Sequence, residues 1–80
     1  MKAELRKHMA QVHTTALGEQ RIKRNMALAP SADVVAWCKE KIRAAESVAR
    51  KGKNYYVYTA DAVLTVNAHS YTVITAHKVF

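Results

Sequence analysis

The chain has 80 residues, half of them apolar, and thirteen Lys and Arg against six Asp and Glu give a formal net charge of +7. That length holds one domain with a small core, that apolar share excludes a disordered tail, and no run approaches the ~20 apolar residues that cross a bilayer. Cys38 is the only cysteine, which excludes an internal disulfide and a Cys-rich metal site.

Met1 to Val12 predicts a first helix, with Leu5, Met9 and Val12 on one stripe. Its start, MKAELRKHMAQVH, is charged and lacks the apolar stretch of a signal peptide, so a cytoplasmic location is expected. The pattern breaks at His13-Thr14-Thr15, where either threonine can accept from the free N–H groups of a second helix. That helix is expected over Ala16 to Ala27, with Leu17, Ile22 and Met26 as its apolar residues and Gly18 weakening it. After Pro30, Ser31 is the expected cap of a third helix, with Asp33 placed for the dipole in its first turn. This helix is expected to run to about Val48 and to turn Val34, Val35, Cys38 and Ile42 to the core, with Cys38 as a small buried residue.

Arg50-Lys51-Gly52-Lys53 reads as a basic turn in which Gly52 takes a positive φ. From Asn54 the apolar period changes from 3.6 to 2. YYVYT, AVLTVNA and YTVITAHKV predict three strands, linked at Ala60-Asp61 and at about Ala68 to Ser70. The expectation is a single α+β domain over 1–80. Two or three N-terminal helices (1–49) pack on one face of a three-stranded antiparallel meander (50–80). Alternation puts Leu64, Val66, Ile74 and Ala76 against the helices and leaves Thr65, Asn67, Tyr71, Thr75 and His77 on the open face.

Residues 1–53 carry twelve of the thirteen basic residues and five of the six acidic ones. That imbalance favours a polyanionic partner, RNA or DNA first and an acidic protein or membrane surface after, against the plain alternative of a solvated basic surface. Metal-independent RNA cleavage needs a base for the 2′-OH, an acid for the leaving oxygen and cations on the phosphate. His13 and His77 are the candidates for the proton transfers, with Thr75 beside His77 on the last strand. Arg21 and Arg24 form an i, i+3 pair for phosphate; Lys51 and Lys53 add charge, while Tyr56 and Asn67 can hold the substrate. The plain readings are a surface histidine on a strand, a solvated arginine face and tyrosines that only pack. No tight pair of metal ligands, Gly-rich phosphate loop or evident carboxylate pair is present, so neither metal nor cofactor is expected.

The blocks HTTALGEQRIKRNMAL, DVVAWCKEKI, RKGKNYYV and TVNAHSYTVITAHK, in that order, resemble a family of small bacterial domains of unknown function. More loosely, helices followed by a sheet that ends in Tyr-Thr-Val-Ile-Thr-Ala are similar to the barnase–EndoU–colicin–RelE group of small metal-independent ribonucleases, many of them toxins. That resemblance implies Thr75 and His77 on the site strand, His13 on the helical side and Arg21 or Arg24 near phosphate. It also implies a tRNA or mRNA target and an acidic neutralising protein. The leading expectation is therefore a small ribonuclease, either a monomer or a small homo-oligomer. The alternatives are a non-catalytic nucleic-acid-binding module, whose binding would survive loss of His77, and a protein-interaction domain with no affinity for RNA.

Overall fold

The computed structural model describes residues 2–79. Three helices come first: α1 (Lys2–Lys7), α2 (Ala16–Met26) and α3 (Val34–Arg43). Four strands follow, β1 (Ser47–Lys51), β2 (Asn54–Tyr58), β3 (Ala62–Asn67) and β4 (Val73–Lys78), in one antiparallel sheet of order β1-β2-β3-β4. The class is α+β as expected, with one strand more than the three expected.

The added strand is cut from the expected third helix. Ala44-Ala45-Glu46 are good helix formers and carry the helical pattern forward. Two cations on α1 occupy the carbonyls there instead. Arg6 Nη2 donates to Arg43 O at 2.6 Å, and Lys2 Nζ donates to Ala45 O and Glu46 O at 3.3 and 3.1 Å. They sit at the negative end of the α3 dipole, where free carbonyls need donors. Val48 then pairs with Val57 and packs on the core, so sheet pairing overrides local propensity. The boundary expected between 49 and 50 thus falls inside β1.

Other ends differ in detail. α1 stops at Lys7 and a short 3-10 turn, Met9–Gln11, follows it; Met1 lies outside the described residues. Thr15 caps α2 by accepting from the Gly18 N–H at 3.0 Å. Asp33, not Ser31, caps α3, its Oδ1 accepting from the Ala36 N–H at 3.0 Å. Gly52, at φ 59°, opens the two-residue β1–β2 loop, the position where a type II′ hairpin turn demands glycine.

Leu5, Ile22, Cys38, Ile42, Val57, Leu64, Val66 and Val73 are fully buried between the helices and one sheet face. Each large aliphatic side chain there contributes about 1.5–3 kcal/mol. A bulge decides which β4 residues join them. Thr65 pairs with Thr75 but Val66 pairs with Val73, so Ile74 is an extra residue on β4. Val73 therefore takes the core position expected for Ile74, which is left half-buried. Tyr71 also leaves its expected place on the open face. It precedes β4 with φ 59°, stacks on His8 at a centroid distance of 4.7 Å and packs against the core.

α2 lies along the outer edge of β4. His13 makes a one-residue parallel bridge to Thr72, donating to Tyr71 O at 3.2 Å and accepting from the Val73 N–H at 2.7 Å. The Thr14 hydroxyl donates to Val73 O at 2.7 Å, and Asn25 Nδ2 donates to Ala76 O at 3.2 Å. The segment from His13 to Asn25 thus closes a sheet edge that would otherwise accept a foreign strand. Among the described residues no helix is long and apolar enough to cross a membrane.

Candidate nucleic-acid interface

Strand pairing arranges the sheet face opposite the core in three rows. Lys51, Asn54 and Asn67 form the first; Ala49, Tyr56, Thr65 and Thr75 the second; Ser47, Tyr58, Val63 and His77 the third. Thr65 is buried among its neighbours in the middle row, while Tyr58 and His77 are exposed. Tyr56 and Tyr58, two residues apart on β2, offer their rings on the same face.

Helix geometry sorts the two arginines of α2. Ile22 is buried and Met26 packs on the core, whereas Asn25 reaches Ala76 O and comes within 3.5 Å of Thr75 Oγ1 on the open face. Arg21 stands four residues before Asn25, on the row that flanks the open face, with exposed Leu17 one turn further back. Arg24, three residues on, borders a groove with Gln20, Lys23, Leu28 and Pro30.

The histidines are sorted as well. His13 Nδ1 lies 2.8 Å from Gln11 O and Nε2 lies 3.1 Å from Thr72 Oγ1. A carbonyl only accepts, so Nδ1 carries its hydrogen, and both ring nitrogens are engaged within the chain. His77 is exposed, with no hydrogen bond from its ring among the described residues. His13 is fixed at Thr72, five residues from His77, which is roughly 15 Å of strand. An acid and a base serving one phosphorus must stand within about 10 Å of each other, since each needs hydrogen-bond reach of its own oxygen. The pairing of His13 with His77 as acid and base is therefore corrected: the fold holds them at opposite ends of β4.

Asn67 also has an internal task. Its Oδ1 accepts from the His69 and Ser70 N–H groups at 2.9 Å each, and from Ser70 Oγ at 3.2 Å, closing the β3–β4 turn. Ser70 Oγ in turn lies 2.7 Å from Thr72 Oγ1, so this turn and His13 form one polar chain. Asn25 escaped the sequence reading, although asparagine inside a helix is unfavourable and its place four residues after Arg21 was a signal. Tyr58 shows the same face preference as Tyr56 by simple alternation.

Charge is unevenly cancelled. Lys23 pairs with Glu19 at 3.1 Å and Lys41 with Asp61 at 2.9 Å, whereas Arg21, Arg24, Lys51 and Lys53 have no ion pair among the described residues. The hydrogen bond from Lys41, then that from Thr59, holds the Asp61 carboxyl below its ordinary range. Cys38 adds no chemistry here: burial pushes its thiol up to about 12, which keeps it protonated and unreactive. Among the described residues no three His, Cys, Asp or Glu side chains gather where they could hold a metal ion.

No curated protein and no solved structure matches the chain. The model of a family described as a protein of unknown function, DUF3781, matches residues 6–77, a span that takes in α2, α3, the first three strands and β4 as far as His77. On that match, which covers most of its length, the chain belongs to the DUF3781 family.

Proposed function

We propose that the chain binds single-stranded RNA, a tRNA or mRNA segment, across the open face of its sheet. One observation carries the reading: Tyr56 and Tyr58 stand side by side on a face opposite the core helices, framed by the unpaired cations Lys51 and Arg21. Aromatic rings on a sheet stack unpaired bases, and cations along the border track the backbone. Lys53 extends the positive border past the β1–β2 loop. Asn25 and Thr75 supply a donor and a hydroxyl beside Arg21 for sugar or phosphate oxygens.

A second reading, that the bound RNA is cut, is favoured by the free ring of His77, two residues from Thr75 on the same face. In it His77 takes the 2′-OH proton, that oxygen attacks phosphorus, and the bond to the 5′-oxygen breaks. The products are a 2′,3′-cyclic phosphate and a 5′-hydroxyl that takes its proton from water. Arg21 offsets the charge on phosphorus, and His13 has no part.

The test is to incubate labelled single-stranded RNA with the protein in EDTA, measuring binding by anisotropy and integrity on a denaturing gel. Tyr56→Ala is expected to cost about 1–3 kcal/mol of binding, roughly fivefold to 150-fold in affinity. Absence of RNA binding by the folded parent at low salt refutes the proposal. Cleavage lost in His77→Ala and kept in His13→Ala selects the second reading, and intact RNA selects the first.

A further inference from the structure

The two outer edges of the sheet are treated differently. His13, Thr14 and Asn25 close the edge of β4. Among the described residues nothing comparable covers β1. Its two-residue loop makes Lys51 and Asn54 a hydrogen-bonded pair, so the alternation of the ladder turns the N–H and C=O groups of Val48 and Arg50 away from β2. Among the described residues no hydrogen bond reaches those four groups from outside the β1–β2 ladder.

The side chains along this edge select what can pair with it. Arg50 and Lys51 end the strand and Lys53 lies in the loop, none of them in an ion pair among the described residues, while the acid nearest in sequence, Glu46, precedes the other end. Arg50 is held on the helix side of the sheet, its Nε donating to Gly52 O at 2.9 Å and its guanidinium 5.5 Å from the Tyr55 ring centre. Lys51 stands on the open side, so the two cations flank the edge from both faces. A second copy would set its Glu46 beside Arg50 and Lys51 if paired antiparallel, but it brings one acid against two cations and the same net +7, which opposes self-pairing.

We propose that the outer edge of β1 takes up an extended acidic segment of a partner protein as a fifth strand. The added strand runs antiparallel to β1, so its N-terminal residues lie beside Arg50 and Lys51. Two consecutive acids at its start then meet both cations, one on each face, while its backbone satisfies Val48 and Arg50. This surface is the strand edge, which shares Lys51 with the face assigned to RNA, and the proposal does not depend on RNA binding.

The probe is an acetylated, amidated hexapeptide, Asp-Glu-Asp-Val-Thr-Val, in excess over the full chain, with the reversed sequence as its comparison. Amide hydrogen exchange is read by NMR residue by residue. The acidic-first peptide is expected to slow exchange at Val48 and Arg50 by about tenfold or more, and the reversed peptide by clearly less. Three results overturn the proposal. One is binding that leaves both amides unprotected, and another is no binding by either peptide. The third is protection already present in the free chain together with a doubled mass in sedimentation, which makes the occupant a second copy.

Discussion

Replacing Gly18 by alanine separates this fold from a generic helix. In an exposed helix the change stabilises by about 1 kcal/mol, because glycine is the poorer helix former. Here the new methyl lands on the Thr14 hydroxyl and stands 3.2 Å from both Thr15 Oγ1 and the Val73 carbonyl oxygen. The Val73 oxygen belongs to a sheet backbone and cannot swing aside. Thr14 has to rotate instead, which strips Val73 O of its 2.7 Å donor. A carbonyl left without its partner costs about 1–3 kcal/mol. Crowding of Thr15 weakens the cap on the Gly18 N–H, about 1 kcal/mol more. Against the helix gain, the net is a loss of about 2 kcal/mol, or about 10 °C in Tm for a domain of this size. Thermal and urea unfolding followed by far-UV circular dichroism measures it. Thr14→Ala combined with Gly18→Ala should cost less than the sum of the two, since they remove the same hydrogen bond. A Gly18→Ala protein that melts at or above the parent refutes the close α2–β4 contact.

Three further outcomes are expected. Lys51→Gln reduces the slope of log affinity against log salt by about 1 in RNA titrations while leaving the melting temperature within error; an unchanged slope removes Lys51 from the phosphate contacts. The Asp61 carboxyl titrates below its ordinary value of 3.8 in the folded chain, so its share of stability is present above that value and fades as pH falls through the lower folded one. Asp61→Asn should therefore flatten the acid limb of a Tm-against-pH curve, and identical acid limbs would rule that linkage out. Cys38 should resist alkylation by iodoacetamide in the native chain and react only on unfolding, as mass spectrometry with and without urea would show; rapid native labelling would contradict its burial.

The helices that depend on local signals were legible in the sequence. α2 follows from the Thr15 cap and the Ile22–Met26 stripe, and the open-face positions of Tyr56, Thr75 and His77 follow from a period of two. The fourth strand was not legible, because α3 is ended by Lys2 and Arg6, which lie 37 to 44 residues away along the chain. Nor was the bulge. Val73 and Ile74 are equally apolar, and only the pairing of β4 with β3 chooses between them. The site divides in the same way. Arg21 and Arg24 satisfy one helical pattern, and the position of β4 alone decides which row of α2 flanks the open face. His13 at a helix junction is legible as a group that either moves protons or holds the junction by hydrogen bonds, but its partner Thr72, 59 residues further on, is set by the fold alone.

The seam between α2 and β4 also sets an order of assembly. Thr14 meets Val73 across 59 residues and Asn25 meets Ala76 across 51, whereas the β1–β2 hairpin closes through a two-residue loop. Short closures are fast and long ones slow, and an 11-residue helix such as α2 does not persist in water without a surface to lie on. The meander therefore takes shape first, with the edge of β4 bare, and α2, which precedes it in the chain, is among the last elements to settle. Until α2 arrives, β4 can be claimed by a strand of another molecule, so crowded refolding puts this protein at risk of aggregation during that interval.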